Sequence, residues 1–345
     1  MYRQGIIKIV GLMTLIVLMG VQWSCTSESL EKEQEAVSRA LNVKVSSRGS
    51  HNEVIILGED SLIVNRLRRH FELPFSPLGP IEPVITVYAP KDINNDLKRF
   101  RQIIILRKRE DPEFMPGLSS LTDTMPYDCR IVTLRDVWSK PQWVYVVLLP
   151  DEVDDACIEH ISSRLVPTID SIEMKHLQRV VAKSHRAKEI EVLLERQLGL
   201  KTTIPINFSV ARKSDSIIWL RSDEADMVHS LVFARLRSAH FPKTQQEFIV
   251  LREGVMRFIQ GALPGDYVIT DTILEFSQRK NLLVVRGLWR MKKQFMGGLF
   301  VSYVMKLPDN SIIYMEGFLY APGEEKRFKI RWLEAILRNT SLANE

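Results

Sequence analysis

Cysteine is scarce, with three in 345 residues. Cys25, Cys129 and Cys157 stand too far apart for any usual cysteine metal motif. The seven histidines are His51, His70, His160, His176, His185, His229 and His240. No two of them form HExxH, which sets two imidazoles and a base on one helix face. His176 and His185 share one predicted helix and read as solvated positions. No GxSxG elbow, Walker loop or GxGxxG occurs. Ser29 to Lys32 and Ser277 to Lys280 match SxxK in spacing only. The first lies in a charged tether and the second at a polar strand end, and neither gives the cleft in which lysine activates serine. Asp151, Glu152, Asp154 and Asp155 cluster where a helix begins, and acidic residues there complement the helix dipole. A glycosidase needs two carboxylates across a cleft about 5–9.5 Å wide, and the sequence does not reveal such a pair. No catalytic residue, metal or cofactor is assigned.

Strong charge is also missing. The formal net charge is +5, and Arg3 and Lys8 lie in an N-terminal leader; without them 45 basic residues face 42 acidic ones, a net of +3. Nucleic-acid binding normally needs a concentrated basic surface, so it is not expected. After the leader, no apolar run approaches the length of about 17–25 residues that spans a bilayer.

The leader is the most specific targeting signal present. Arg3 gives a positive start, and Ile6 to Val21 is apolar except for Lys8, Gly11, Thr14 and Gly20. Ser24-Cys25 and a polar run follow. The plain reading is a secretory signal peptide. A small residue before cysteine, directly after an apolar region, resembles a bacterial lipoprotein signal, in which Cys25 is acylated and becomes the mature N-terminus. Gln22 and Trp23 depart from the strict pattern. An uncleaved anchor and cleavage further on, with Cys25 incidental, remain open. Cys129 and Cys157 are left as a candidate disulfide that an oxidising compartment permits. Two buried free thiols are the plainer alternative.

A chain of 345 residues is enough for about two domains of ~100–200 residues. The pattern predicts an α+β protein with two sheet-and-helix halves joined by a long helix. Its divisions are a signal peptide over 1–24, a tether over 25–50, an N-terminal half over 51–166, a connector helix over 167–200 and a C-terminal half over 201–345. Strands are expected at Glu53 to Leu57, Val84 to Tyr88, Gln102 to Arg107, Ile131 to Val137 and Trp143 to Leu149. Ser61 to Phe71 reads as a helix, and Asp111 to Asp128 as a long loop of the kind that often binds. A helix over Asp151 to Leu165 is expected to break at Pro167, with a second running from Thr168 to Leu198 and stopping at Gly199. The C-terminal half reads as strands around Asn207, Ile217, Val228 and Thr272, with a helix over Thr244 to Gln260. Three further strands follow: Leu282 to Trp289, Leu299 to Lys306 and Ile312 to Tyr320. The last helix is expected to start at Pro322-Gly323, with Glu324 and Glu325 in its first turn and Phe328, Trp332, Ala335 and Ile336 on one face.

Leu134-Arg135-Asp136-Val137-Trp138 echoes Val285-Arg286-Gly287-Leu288-Trp289, which raises an internal duplication. It also marks Arg135, Trp138, Arg286 and Trp289 as candidate ligand contacts, against a plainer packing role. Arg179, Lys183 and Arg186, at i, i+4 and i+7 of the predicted connector, form a candidate anion-binding face for lipid headgroups, phosphorylated glycan or an acidic partner; the plainer reading is a solvated face. The leader, Arg135 to Gln142, Arg286 to Trp289, Phe295 to Gly298 and Gly317 to Gly323 together resemble an uncharacterised family of Gram-negative envelope lipoproteins, classed as a domain of unknown function. The resemblance spans roughly Asn52 to Asn339. It implies an envelope location and brings no activity or catalytic residues. The expected function is non-catalytic binding or scaffolding by a lipid-anchored envelope protein. It would be held to the membrane by its N-terminal lipid and partnered by an envelope protein or glycan. The alternative is a hydrolase acting on cell-wall glycan or peptide.

Overall fold

A computed structural model describes residues 44–79, 81–111, 117–118, 122, 124–237 and 240–343. Cys25, the leader and most of the tether lie outside these residues, as does part of the 111–128 loop. The chain is a mixed α+β protein built on two sheets.

The first sheet has the order β3 (Thr86–Tyr88), β2 (Glu53–Leu57), β4 (Gln102–Arg107), β7 (Trp143–Leu148) and β5 (Arg130–Arg135). Only the β5–β7 pair is antiparallel. Its central strands read EVIIL, QIIILR and WVYVVL. Such unbroken apolar runs suit strands covered on both faces. On one face Val54, Ile56, Ile104 and Val147 pack on α1 (Ser61–Phe71) and the first half of α2 (Asp155–Ala182). On the other, Ile55, Ile103, Val144 and Val146 meet Leu97, Phe100, Leu118 and Trp138. Residues 44–50 belong to this unit rather than to a tether. Within them β1 (Val45–Ser46) pairs with β6 (Ser139–Lys140), and the Arg48 N–H donates to the Arg99 carbonyl.

The second sheet has seven antiparallel strands. Their order is β12 (Val268–Arg279), β13 (Leu282–Met291), β14 (Gly297–Lys306), β15 (Ile312–Tyr320), β11 (Met227–Leu236), β10 (Ile217–Glu224) and β9 (Ser209–Lys213). Leu299, Val301, Tyr303 and Met305, which alternate along β14, lie against the end of α2, α3 (Lys188–Leu198) and α5 (Arg327–Arg338). α4 (Gln245–Met256) covers the opposite face through Phe248, Val255 and Met256. A short β8 (Leu200–Lys201) pairs with β16 (Ser341–Leu342).

The helices depart from expectation at three points. α2 runs straight through Pro167. Proline removes one backbone donor, but Pro167 and Ser163, four residues back, are both exposed. Water can satisfy the freed carbonyl while Leu165 and Ile169 anchor the buried face. The connector instead breaks after Ala182, because Arg186 and Ala187 pair with Ile204 and Pro205. α2 therefore serves both cores, with Ile158, Ile161, Leu165 and Ile169 in the first and Met174, Leu177 and Val181 in the second. Third, α5 starts at Arg327, without an acidic residue in its first turn. Glu82, from the first unit, accepts the N–H groups of Lys326 and Arg327. Negative charge at the helix start thus comes from a residue about 240 positions away in sequence, as the helix dipole favours.

The two sheets do not show the raised duplication. One is mostly parallel and the other wholly antiparallel. Arg135 ends β5 and Asp136 turns with φ 52°, whereas Arg286 to Trp289 lie inside β13. Cys129 and Cys157 are joined by a disulfide, with Cα atoms 5.7 Å apart.

Candidate functional site

The loop before β2, the Ile81 to Tyr88 segment, α2 and the start of α5 meet around a cavity of about 670 Å³ between the two units. Each element is fixed by a polar contact. Besides taking the α5 N–H groups, Glu82 sits opposite Arg327, which donates to the Pro83 carbonyl and to Thr86 Oγ1. Lys326 Nζ donates to the Gly79 carbonyl. On the α2 side, Arg101 forms a buried bidentate pair with Glu173, both bonds 2.9 Å, and Gln102 donates to the same carboxylate. Breaking such a pair leaves a buried charge uncompensated.

His51 lies between these walls with 6% of its surface exposed. Neither ring nitrogen has a hydrogen-bond partner, and Nδ1 is 3.9 Å from Glu173. A buried polar group left unpaired costs about 1–3 kcal/mol. Arg327 Nε is likewise buried and unpaired. Among the described residues no carboxylate lies within ion-pair distance of Arg327, and burial lowers its pKa. The third wall is apolar. Phe328 is 51% exposed and Val180 42%, and Ile81 and Trp332 also line the space. The Phe328 and Trp332 rings are 6.2 Å apart, and His51 meets Phe328 edge-on. The cavity thus offers a neutral imidazole and a guanidinium beside an aromatic surface, the mixture typical of ligand pockets. Two of its three carboxylates are engaged, and the third, Glu325, is exposed at the rim. Glu53 accepts the Ser50 N–H and the Tyr88 hydroxyl, and Glu82 caps α5.

Burial first, then Arg331, lowers the His51 pKa from 6.5 to about 4, with Glu173 opposing. Between those pH values the unfolded chain binds a proton that the folded chain does not. The stabilisation is complete above pH 6.5 and declines on acidification to about pH 4, by on the order of 3 kcal/mol. His176 and His229 are shifted downward too, each chiefly by burial, and add in the same sense. His51→Asn is expected to flatten most of this limb in urea titrations across the pH series. A lower limb belongs to Glu334. Burial raises its pKa, but Arg331, Arg286 and Arg338 outweigh that and hold it at about 2, so its contribution is lost as pH falls from 4.5 toward 2.

The residues singled out by sequence do not form this site. Arg179 is in the last turn of α2 and Lys183 caps it, while Arg186 lies beyond the helix and pairs with Glu191. The shared face predicted for the three is therefore interrupted. Arg135 stacks over the Trp143 ring at 4.2 Å, and the Trp138 N–H donates to Gln142. Arg286 bridges Glu275 and Glu334. Trp289 is buried, donates to the Leu319 carbonyl and packs edge-on against Phe318. These four are held by internal contacts on unrelated local structures. His176, expected in solvent, is half-buried at the cavity. The single face predicted for Phe328, Trp332, Ala335 and Ile336 divides. Ala335 and Ile336 are buried with Ile330, Leu333 and Leu337, which complete the core face of α5, and Phe328 and Trp332, at i and i+4, form a second aromatic stripe at the cavity. Among the described residues no cluster of three or more His, Cys, Asp or Glu is placed to hold a metal, and no helix is long and apolar enough to cross a membrane.

The fold and cavity define a two-sheet α+β protein with a junctional pocket. Residues 186–339, which hold α3, the second sheet and α5, match the family model described as Domain of unknown function (DUF4837). A comparison with curated proteins finds no match. Among solved structures, the Ran-binding protein Mog1p of Saccharomyces cerevisiae is similar over 42% of this chain and 90% of its own, with 10% identity and a TM-score of 0.31. A point mutant of protein Mog1 gives 42% and 91%, with 11% identity and a TM-score of 0.29. Likeness at this level carries no argument about the chain.

Proposed function

We propose that the chain is a lipid-anchored cell-envelope protein that acts by non-catalytic binding, holding a small ligand or a segment of an envelope partner in the junctional cavity. The observation that carries the reading is His51, buried and neutral with both nitrogens unpaired in a cavity walled by Phe328 and Trp332. A bound hydroxyl, amide or carboxylate would satisfy the imidazole, and the rings suit an apolar or sugar face. The leader ending in Ser24-Cys25 supports the anchor. The Cys129–Cys157 disulfide supports an oxidising compartment.

Fractionation tests the location. Wild type is expected in membranes with an acyl mass on Cys25, and Cys25→Ala is expected in the soluble fraction. A soluble, unacylated wild type would remove the anchor. Thermal melting in desalted envelope extract tests binding. Wild type is expected to melt higher in extract than in buffer, and Val180→Trp, which fills the mouth from a 42% exposed position, is expected to lose that shift.

A further inference from the structure

The turn between β13 and β14 presents a second surface. Phe295 is fully exposed at its tip, and Leu263, on the loop before β12, is 47% exposed. The two loops are tied together. The Lys293 N–H donates to Asp266 at 2.7 Å, Lys293 Nζ reaches the Pro264 carbonyl, and the Lys292 N–H donates to the Tyr267 carbonyl. Tyr267 carries two cations on its ring, Lys292 at 5.0 Å and Arg257 at 5.6 Å. Arg257, Lys292 and Lys293 are all exposed. Among the described residues none of them has a carboxylate within ion-pair distance. Of the nearby acids, Asp271 pairs with Arg290 at 3.2 Å, and Asp266 is buried, with Oδ1 taking the Lys293 N–H and Oδ2 unpartnered.

Apolar tips ringed by cations without carboxylate partners fit one kind of surface. Aromatic and aliphatic side chains enter the headgroup boundary of a bilayer while lysine and arginine hold the phosphates. A second copy of this patch fits poorly, because a symmetric contact would bring its cations together. We propose that the tip formed by Leu263, Phe295, Arg257, Lys292 and Lys293 docks onto an anionic lipid surface. This contact does not depend on the occupant of the junctional cavity. The 18 residues between Cys25 and Lys44 can span at most about 60–65 Å, which bounds how far an anchor at Cys25 lets Lys44 lie from the membrane.

The test uses the full chain, purified from membranes and reconstituted into vesicles of phosphatidylcholine alone or with phosphatidylglycerol. Phe295→Trp reports on the tip through quenching by brominated lipid, after subtraction of the wild-type tryptophan signal. Quenching is expected in phosphatidylglycerol vesicles, with roughly tenfold less in phosphatidylcholine vesicles or after Lys292→Glu with Lys293→Glu. Leu263→Trp provides an independent probe on the neighbouring loop, and unchanged melting temperatures control for folding. The proposal is overturned by tryptophan emission that stays water-like in both lipids, or by quenching indifferent to lipid charge. Self-association in lipid-free detergent that is abolished by Phe295→Ser would assign the face to a second copy and overturn it as well.

Discussion

Glu316→Ala is expected to lower stability by about 3–5 kcal/mol, because it strands a guanidinium in the core. Arg252 projects from α4 onto the second sheet, and both it and Glu316 have no exposed surface. The guanidinium donates twice to Glu316, at 2.8 and 2.9 Å, once to Thr270 Oγ1, and sits 4.0 Å above the Phe300 ring. Ser302 and Tyr314 donate their hydroxyls to the same carboxylate. Truncating Glu316 removes the acceptor for four donors at once. Replacing both charges, as in Arg252→Met with Glu316→Leu, is expected to recover much of the loss, since apolar substitution of a whole buried pair is often near neutral. Urea titration of the wild type and the two variants checks this. A loss below ~1 kcal/mol for Glu316→Ala would show that water reaches the pair.

Cys129→Ser is expected to cost about 3–4 kcal/mol under oxidising conditions. The bridge closes a loop with a sequence separation of 28, and loop-closure entropy for that length gives this figure. It ties the start of β5, the edge strand next to β7, to the first turn of α2. Reductant should bring the wild type down to the variant and leave the variant unmoved. Equal melting of both proteins in oxidising buffer would mean that the thiols are free in solution, the plainer of the two sequence readings.

Most of the architecture is legible in the sequence because it depends on local patterning. The apolar runs of β2, β4 and β7 and the alternation in β14 each specify a strand with its buried faces. Pro167 misleads because its local cost is visible without the packing of Leu165 and Ile169, which hold α2 together on either side. The break after Ala182 depends on pairing between Arg186 and Pro205, and the start of α5 on Glu82. Neither partner announces itself in sequence. The cavity is invisible for the same reason. His51, Glu82, Arg101, His176 and Arg327 come from separate segments, and none matches a short motif. Charge spacing along the predicted connector draws attention to Arg179, Lys183 and Arg186, but their common face requires a continuous helix that the fold does not contain. The arginine–tryptophan echo pairs residues by sequence alone, and the fold uses each of them differently.

The most direct test of the binding account is native mass spectrometry of the full chain released gently from membranes, wild type beside Val180→Trp. The account predicts a wild-type population carrying a non-covalent small-molecule or peptide mass that is depleted in Val180→Trp, with both proteins melting at the same temperature in ligand-free buffer. An adduct retained unchanged in Val180→Trp would place the ligand elsewhere. A bare wild type that also gains no mass from envelope extract would contradict the cavity as a binding site.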